Sequence, residues 1–312
     1  MHASARTRGA VKPVTFRPPR ALGVGVGLAA AAWSLAFAVL AGRAALGGDP
    51  NLKTLLAWVV CAALALLAAT FVNWAYGVFS LAYVVERDSL VIRWGFRRVV
   101  IPLDSVLRMV PGRTMDQSRI HGLNWWGCHI GHADVQRIGY TLFYSTHRAP
   151  EQLLYIHTTQ ESYALTILDQ ARFAEELQSR AALSPVEEAH PQRSTATGLA
   201  ALPFWRDGHA ISAAALSALA CLALCGFVFL RYPGLPDLVQ LNFPYSGGIV
   251  RIGDREELLK LAYLGIGIQV TNLVVGVAVH SRERAAGLWL LAAGSMLQVL
   301  ILAAAVAAFE RS

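Results

Sequence analysis

Long apolar runs leave this chain few ways to fold, because about 20 consecutive apolar residues is the length of helix that crosses about 30 Å of hydrocarbon. Five such runs are read from the sequence: Ala21 to Leu40, Thr54 to Tyr76, Ala210 to Leu230, Leu258 to Val279 and Ala286 to Phe309. None holds an acid or base well inside it except Lys260, which lies within a turn of one end and can snorkel to the headgroups. Arg43 leaves the end of the first run the least sharp. With 55% hydrophobic and 15% charged residues, the 312-residue chain is too apolar for a soluble protein, which keeps roughly a quarter of its residues charged. The uncharged polar residues at depth, Gln269, Thr271, Asn272 and Gln298, are expected to hydrogen-bond between helices. No intramembrane acid or base accompanies them to mark a transport path.

The net charge of +7 falls in short groups beside the runs, which fits membrane topology better than nucleic-acid binding. Arg6, Arg8, Lys12, Arg17 and Arg20 precede the first run with no acid among them, and Arg282 and Arg284 lie between the last two. The positive-inside rule puts both groups in the cytoplasm, and the long middle segment with them. Residues 42–53, 232–256 and 310–312 then face the other side. A cleaved signal peptide is the alternative for the first run, with small residues from Ala41 to Ala45. Its apolar core exceeds the usual length of about 7 to 15 residues, so an uncleaved anchor is expected. The organisation predicted is a basic tail (1–20), a two-helix membrane hairpin (21–80), a cytoplasmic domain (81–182), a flexible linker (183–209) and a three-helix membrane region (210–312) with an outer loop (232–256). Cys61, Cys221 and Cys225 lie in the runs and only Cys128 in the water-facing part, so no disulfide framework is expected.

From Leu81 the pattern turns from helical to strand-like. Leu81 to Glu86 and Ser89 to Trp94 read as a hairpin turning at Arg87-Asp88. Gly95 turns the chain into a third strand, Phe96 to Ile101, and Leu103 to Met109 supplies a fourth. Pro111 to Gly139, rich in Gly, His and Trp, has no clean period and reads as a long connection packed by Trp125 and Trp126. Ile138 to Ser145, Gln152 to His157 and Ser162 to Ile167 are three further strand candidates, making seven. Asp169 then caps a helix with Phe173 and Leu177 on its apolar face, running to about Ala182. Ser184 to Thr197 is Pro-, Glu- and Ser/Thr-rich and reads as a tether.

The stretch Tyr83 to Arg93 with Ile101 to Val106, the Trp126 to Gly131 and Gly139-Tyr140 elements, and Leu168-Asp169 through Phe173 to Leu177 resemble bacterial pleckstrin-homology-like (bacterial PH) domains of integral membrane proteins. The resemblance covers about a third of the chain, and the order of elements carries it. With the seven strands, the closing helix and the five apolar runs read above, it implies five transmembrane helices flanking a small, partly open seven-stranded PH-like barrel capped by a C-terminal helix. It also implies a family without known catalytic residues. The outer segment Leu241 to Pro244, Gly247-Gly248 and Arg251 to Asp254 resembles a loop of small multi-span bacterial proteins of unknown function, and no ligand is carried over from it.

His121, Cys128, His129 and His132 are the densest group of metal-ligand types, but their spacing matches no tetrahedral zinc pattern, so neither metal nor cofactor is expected. The sequence lacks HExxH, GxxxxGK[ST] and GxSxG, and no enzymatic activity is expected. Arg93, Trp94, Arg97 and Arg98 form a basic, aromatic hairpin suited to a lipid or partner contact, since each base near an anionic leaflet is worth about 1 kcal/mol. Membrane lipids and a membrane or cytoplasmic protein or peptide are the partners expected, and nucleic acid is not. The function expected is a membrane-anchored binding, scaffolding or regulatory module. The alternative is a transporter or channel component regulated by the PH-like domain.

Overall fold

The computed structural model describes residues 12–115, 119–147, 149–182, 193–240 and 252–311. Among the described residues, five helices are long and apolar enough to cross a membrane, the architecture of a multi-pass membrane protein. They are α1 (Ala21–Leu46), α2 (Leu52–Ser80), α4 (Gly208–Arg231), α5 (Glu256–His280) and α6 (Arg284–Arg311), with the amphipathic α3 (Gln170–Ala181) between the second and third. Arg43 does not end the first helix, which runs on through it to Leu46. The chain divides into two compact units. One holds the residues up to Ser34 with Leu66–Ala201, the other Leu35–Ala65 with Leu202–Ser312.

The first unit contains the β domain. Among the described residues between 81 and 182 it has nine strands, not seven: β2 (Ala82–Val85), β3 (Ser89–Trp94), β4 (Arg97–Pro102), β5 (Val106–Pro111), β6 (His121–Trp125), β7 (Cys128–Val135), β8 (Gly139–Ser145), β9 (Leu153–Thr158) and β10 (Ser162–Thr166). The two extra strands, β6 and β7, fall in the stretch read as a loop. Gly122 faces Gly131 across this hairpin, and β6 is an edge strand with mostly exposed side chains. Neither condition demands the apolar alternation by which a strand is recognised.

The strands do not close into a barrel. They form two open sheets, ordered β1-β2-β3-β4-β11 and β5-β9-β10-β8-β7-β6. Here β1 (Val14–Phe16) comes from the basic tail and β11 (Arg193–Ala196) from the stretch read as a tether, whose residues 183–192 lie outside the described ones. Both edges of the first sheet are therefore covered by segments from outside residues 81–182. The second sheet is not a plain meander either: β10 inserts between β8 and β9, antiparallel to β9 and parallel to β8.

The core lies where the sheets face each other and includes Leu90, Ile92, Ile101, Ile156 and Leu165, all fully buried, with Phe173 and Leu177 of α3. Asp169 caps α3 as the sequence predicts, its carboxylate accepting the Arg172 N–H at 3.0 Å. Tyr83 staples the sheets together. Its buried hydroxyl donates to the Tyr144 carbonyl at 2.6 Å and accepts the Thr166 N–H at 3.2 Å. Burial pushes this phenol well above its ordinary pKa, so it stays a donor.

In the second unit, α4, α5 and α6 pack around Leu224, Val228, Ala262 and Ala305. Ser217 donates to Gln269 at 2.6 Å, and the Gln298 amide donates to the Gly265 carbonyl at 2.7 Å. These join α4 to α5 and α5 to α6, each worth about 0.6 kcal/mol in a membrane. Thr271 is exposed on α5. A short ladder, β12 (Leu238–Gln240) with β13 (Ile252–Asp254), lies between α4 and α5 in sequence, and residues 241–251 lie outside the described ones.

Candidate membrane-facing site and inter-sheet cavity

The β3–β4 hairpin turns at Gly95, whose φ of +55° is a left-handed conformation glycine adopts readily. The register pairs Arg93 with Arg98 and Trp94 with Arg97. Its tip sits on the end of α2. The Gly95 N–H donates to Ser80 Oγ at 2.7 Å, Phe96 lies 5.3 Å from the Tyr76 ring, and a Cβ on Gly77 would stand 2.7 Å from Trp94 Nε1. Trp94 is thus taken up in packing, while Arg93, Arg97 and Arg98 remain exposed. The Arg97 guanidinium lies 6.0 Å over the Trp94 ring, and Arg98 pairs with Glu86 at 3.1 Å. An exposed pair of that kind adds at most about 1 kcal/mol and leaves Arg98 available to solvent anions.

A second tip, which sequence reasoning missed as a hairpin, reaches the same helices. Trp125 at the end of β6 packs 5.7 Å from the Phe71 ring and 5.0 Å from Trp74. Gly127 meets Gly23 of α1 backbone to backbone, where a side chain on either would collide with the other. Trp126, between them in sequence, is 78% exposed. The adjacent Trp125-Trp126 pair followed by glycine was the available signal.

The four metal-ligand types do not converge. His121 and His132 stack across the hairpin at 5.7 Å, with Tyr140 beyond at 5.5 Å from His132. His129 Nδ1 lies 2.7 Å from Asn124 Oδ1, and Cys128 is buried in the main core. Burial, opposed by Trp125, pushes the Cys128 thiol up to about 12, which makes it a poor thiolate source. Among the described residues no three His, Cys, Asp or Glu gather as a metal site would require.

A cavity of about 220 Å³ opens where the first sheet diverges from the second. Val99 and Leu142 supply apolar wall, and Tyr144, Gln160, Glu161 and Tyr163 supply the polar groups. The Tyr163 hydroxyl donates to Glu161 Oε2 at 3.3 Å. Burial first, with Glu161 and Tyr140 adding and Arg97 opposing, pushes the Tyr144 phenol up.

The second unit has its own charged node, also missed from sequence. Asp207, the N-cap of α4, accepts from the His209 N–H at 3.1 Å, from His280 Nε2 at 3.1 Å and from Arg284 Nε at 2.6 Å. Hydrogen bonds from Arg284 and then His280 hold its carboxyl well below the usual carboxylate range. A depressed carboxylate stabilises the fold above its unfolded pKa of about 3.9 and loses that effect as pH falls through the folded value. The Asp207 carboxylate is therefore expected to keep its full contribution from about pH 8 down to about pH 5 and to lose it in more acid solution. Asp207→Ala should lower the melting midpoint in micelles across that whole window. A midpoint equal to the parent's at every pH would rule the clamp out as a stabilising element.

Five membrane-length helices with a two-sheet domain seated on the ends of the first two define a multi-pass membrane protein with an attached β domain. Residues 81–181 match the family model described as the bacterial PH domain, and a PH-like domain is present there. No curated protein and no solved structure matches the chain.

Proposed function

We propose that this chain is a non-enzymatic, membrane-anchored binding or regulatory module. Its PH domain lies in the cytoplasm with both hairpin tips in the headgroup layer and Arg93, Arg97 and Arg98 toward anionic lipid. The observation that carries the reading is the seating of the two tips on α1 and α2. At 29 residues, α2 is roughly 43 Å long, more than the roughly 30 Å of hydrocarbon it has to cross. Counting about 20 residues from Leu52 reaches Phe71, so the Phe71, Trp74 and Trp125 cluster falls at the interface, where tryptophan is enriched. Exposed Trp126 and the 47% exposed Phe96 then meet lipid. The cytoplasmic side rests on the basic groups before α1 and between α5 and α6.

The full chain in nanodiscs with brominated acyl chains tests this. Tryptophan quenching should fall in Trp126→Phe. Arg97→Glu with Arg98→Glu should reduce quenching in anionic bilayers and leave zwitterionic ones unaffected, since each base is worth about 1 kcal/mol at an anionic surface. Quenching identical in all three proteins would overturn the lipid contact. The transporter reading keeps one observation in its favour: Asn272 Nδ2, Ser295 Oγ and Gln298 Oε1 are buried without hydrogen-bond partners among the described residues. Solute flux in proteoliposomes separates the two readings.

A further inference from the structure

Strand β11 covers the β4 edge with a short ladder. It pairs antiparallel with β4, Ser194 opposite Val99 and Thr195 opposite Arg98, and the Thr197 N–H continues the ladder to the Phe96 carbonyl at 2.8 Å. The pairing is four residues long, and Ser194 and Thr195 are exposed. Beneath this strand lies the inter-sheet cavity, with Ser194 itself part of its lining. Ser194 lines this space of about 220 Å³ without filling it, and the space is partly open to solvent beside the exposed Gln160 and Glu161. Among the described residues the carboxylate lining that space is Glu161, held by Tyr163, with Tyr144 and Gln160 beside it and the aliphatic walls of Val99 and Leu142. Arg97, near Tyr144, is not part of the lining.

We propose that β11 is a displaceable cover over a peptide-binding seam: an extended protein segment replaces it along β4 and inserts a lysine side chain, at the position of Ser194, into the cavity toward Glu161. The inference rests on the reading of the PH domain as a binding module and names its partner's chemistry. Main-chain ladder bonds to the β4 edge supply affinity that any extended segment obtains, and the cavity supplies the selection. A lysine stem lies along the apolar walls, and its ammonium meets a carboxylate already oriented by a tyrosine. Because β11 is tethered in the same chain, it competes at high effective concentration, so a partner must be presented locally or fit the cavity better.

The test uses the full chain in nanodiscs and a labelled alternating threonine–valine peptide with lysine, alanine or glutamate at its centre. Loosening β11 by Ser194→Gly with Thr195→Gly should tighten binding of the lysine peptide about tenfold, because a competing strand no longer occupies the edge. Arg98→Cys with Thr195→Cys, a pair facing each other in the ladder, should abolish binding when oxidised and restore it on reduction. Glu161→Gln should remove the preference for lysine over alanine while weak binding of both persists. Lysine-peptide binding to the oxidised protein equal to that of the reduced one would overturn the proposal. So would no binding to the loosened chain, or a lysine preference unchanged in Glu161→Gln. If these fail while the lipid quenching of Trp126 stands, the seam alone is wrong. If both fail, the binding-module reading goes with it.

Discussion

Gly127→Val is expected to lift the β6–β7 tip from α1 and to cost about 2 to 6 kcal/mol, adding backbone strain to overpacking. Gly127 has a φ of +78°, which a β-branched residue adopts only with strain. A Cβ there would also be driven into the Gly23 backbone, and helix backbone cannot move aside as a flexible side chain can. Neighbouring Trp125 would leave its contacts with Phe71 and Trp74, so its emission should shift to the red as the melting midpoint falls. Gly23→Ala carries the collision without the positive φ, since Gly23 is within a helix, and should cost less. A valine variant with parent emission and parent melting would show that the tip is not seated there.

The second large effect is expected at Arg180. This α3 residue is 5% exposed, and its guanidinium donates to the Val85 carbonyl at 2.8 Å, to the Lys12 carbonyl at 3.0 Å and to Glu176 Oε2 at 3.3 Å. It therefore joins three things at once: the closing helix, the first sheet and the segment that leads into β1. Arg180→Ala leaves two carbonyls and part of a carboxylate without these donors and opens space beneath the helix, a loss of about 3 kcal/mol. Lysine cannot restore it, because a single ammonium lacks the planar fork that reaches separate acceptors. Hydrogen exchange should show faster exchange in residues 14–16 as well as in α3. Protection of the β1 amides unchanged from the parent would mean that the arginine does not hold that strand.

The PH segment shows why some elements are legible in sequence and others are not. Leu90, Ile92, Val99 and Ile101 face the core and Val91 is buried with them, so the strands carry apolar runs and the hairpins they form were readable within a residue or two. The His121 to Val135 hairpin was not, since its glycines and histidines answer to an exposed edge and to the close approach of α1. Of the basic hairpin, the exposure of Arg93, Arg97 and Arg98 followed from residue type, whereas Trp94 was committed to packing by Gly77, seventeen positions earlier in the chain. The Asp207, His280 and Arg284 node had no signal at all. Its members are separated by as many as 77 positions, and each has an ordinary local role as cap, helix end or topogenic charge.

The sequence by itself determined the properties that depend on neighbours along the chain. These are five spans of membrane length, a change from helical to strand-like pattern at Leu81, and a capped amphipathic helix at Asp169. Hydrocarbon thickness, strand pleat and helix capping act over a few to about twenty residues, so local composition records them. Only the tertiary structure decided that the sheets stay open, that β10 runs parallel to β8, and that β1 and β11 cover the two edges of the first sheet. A strand edge offers the same backbone groups to any extended segment, and an arginine can reach a carbonyl 168 positions away. Such choices depend on which surfaces meet, and the sequence around either partner alone carries no record of them.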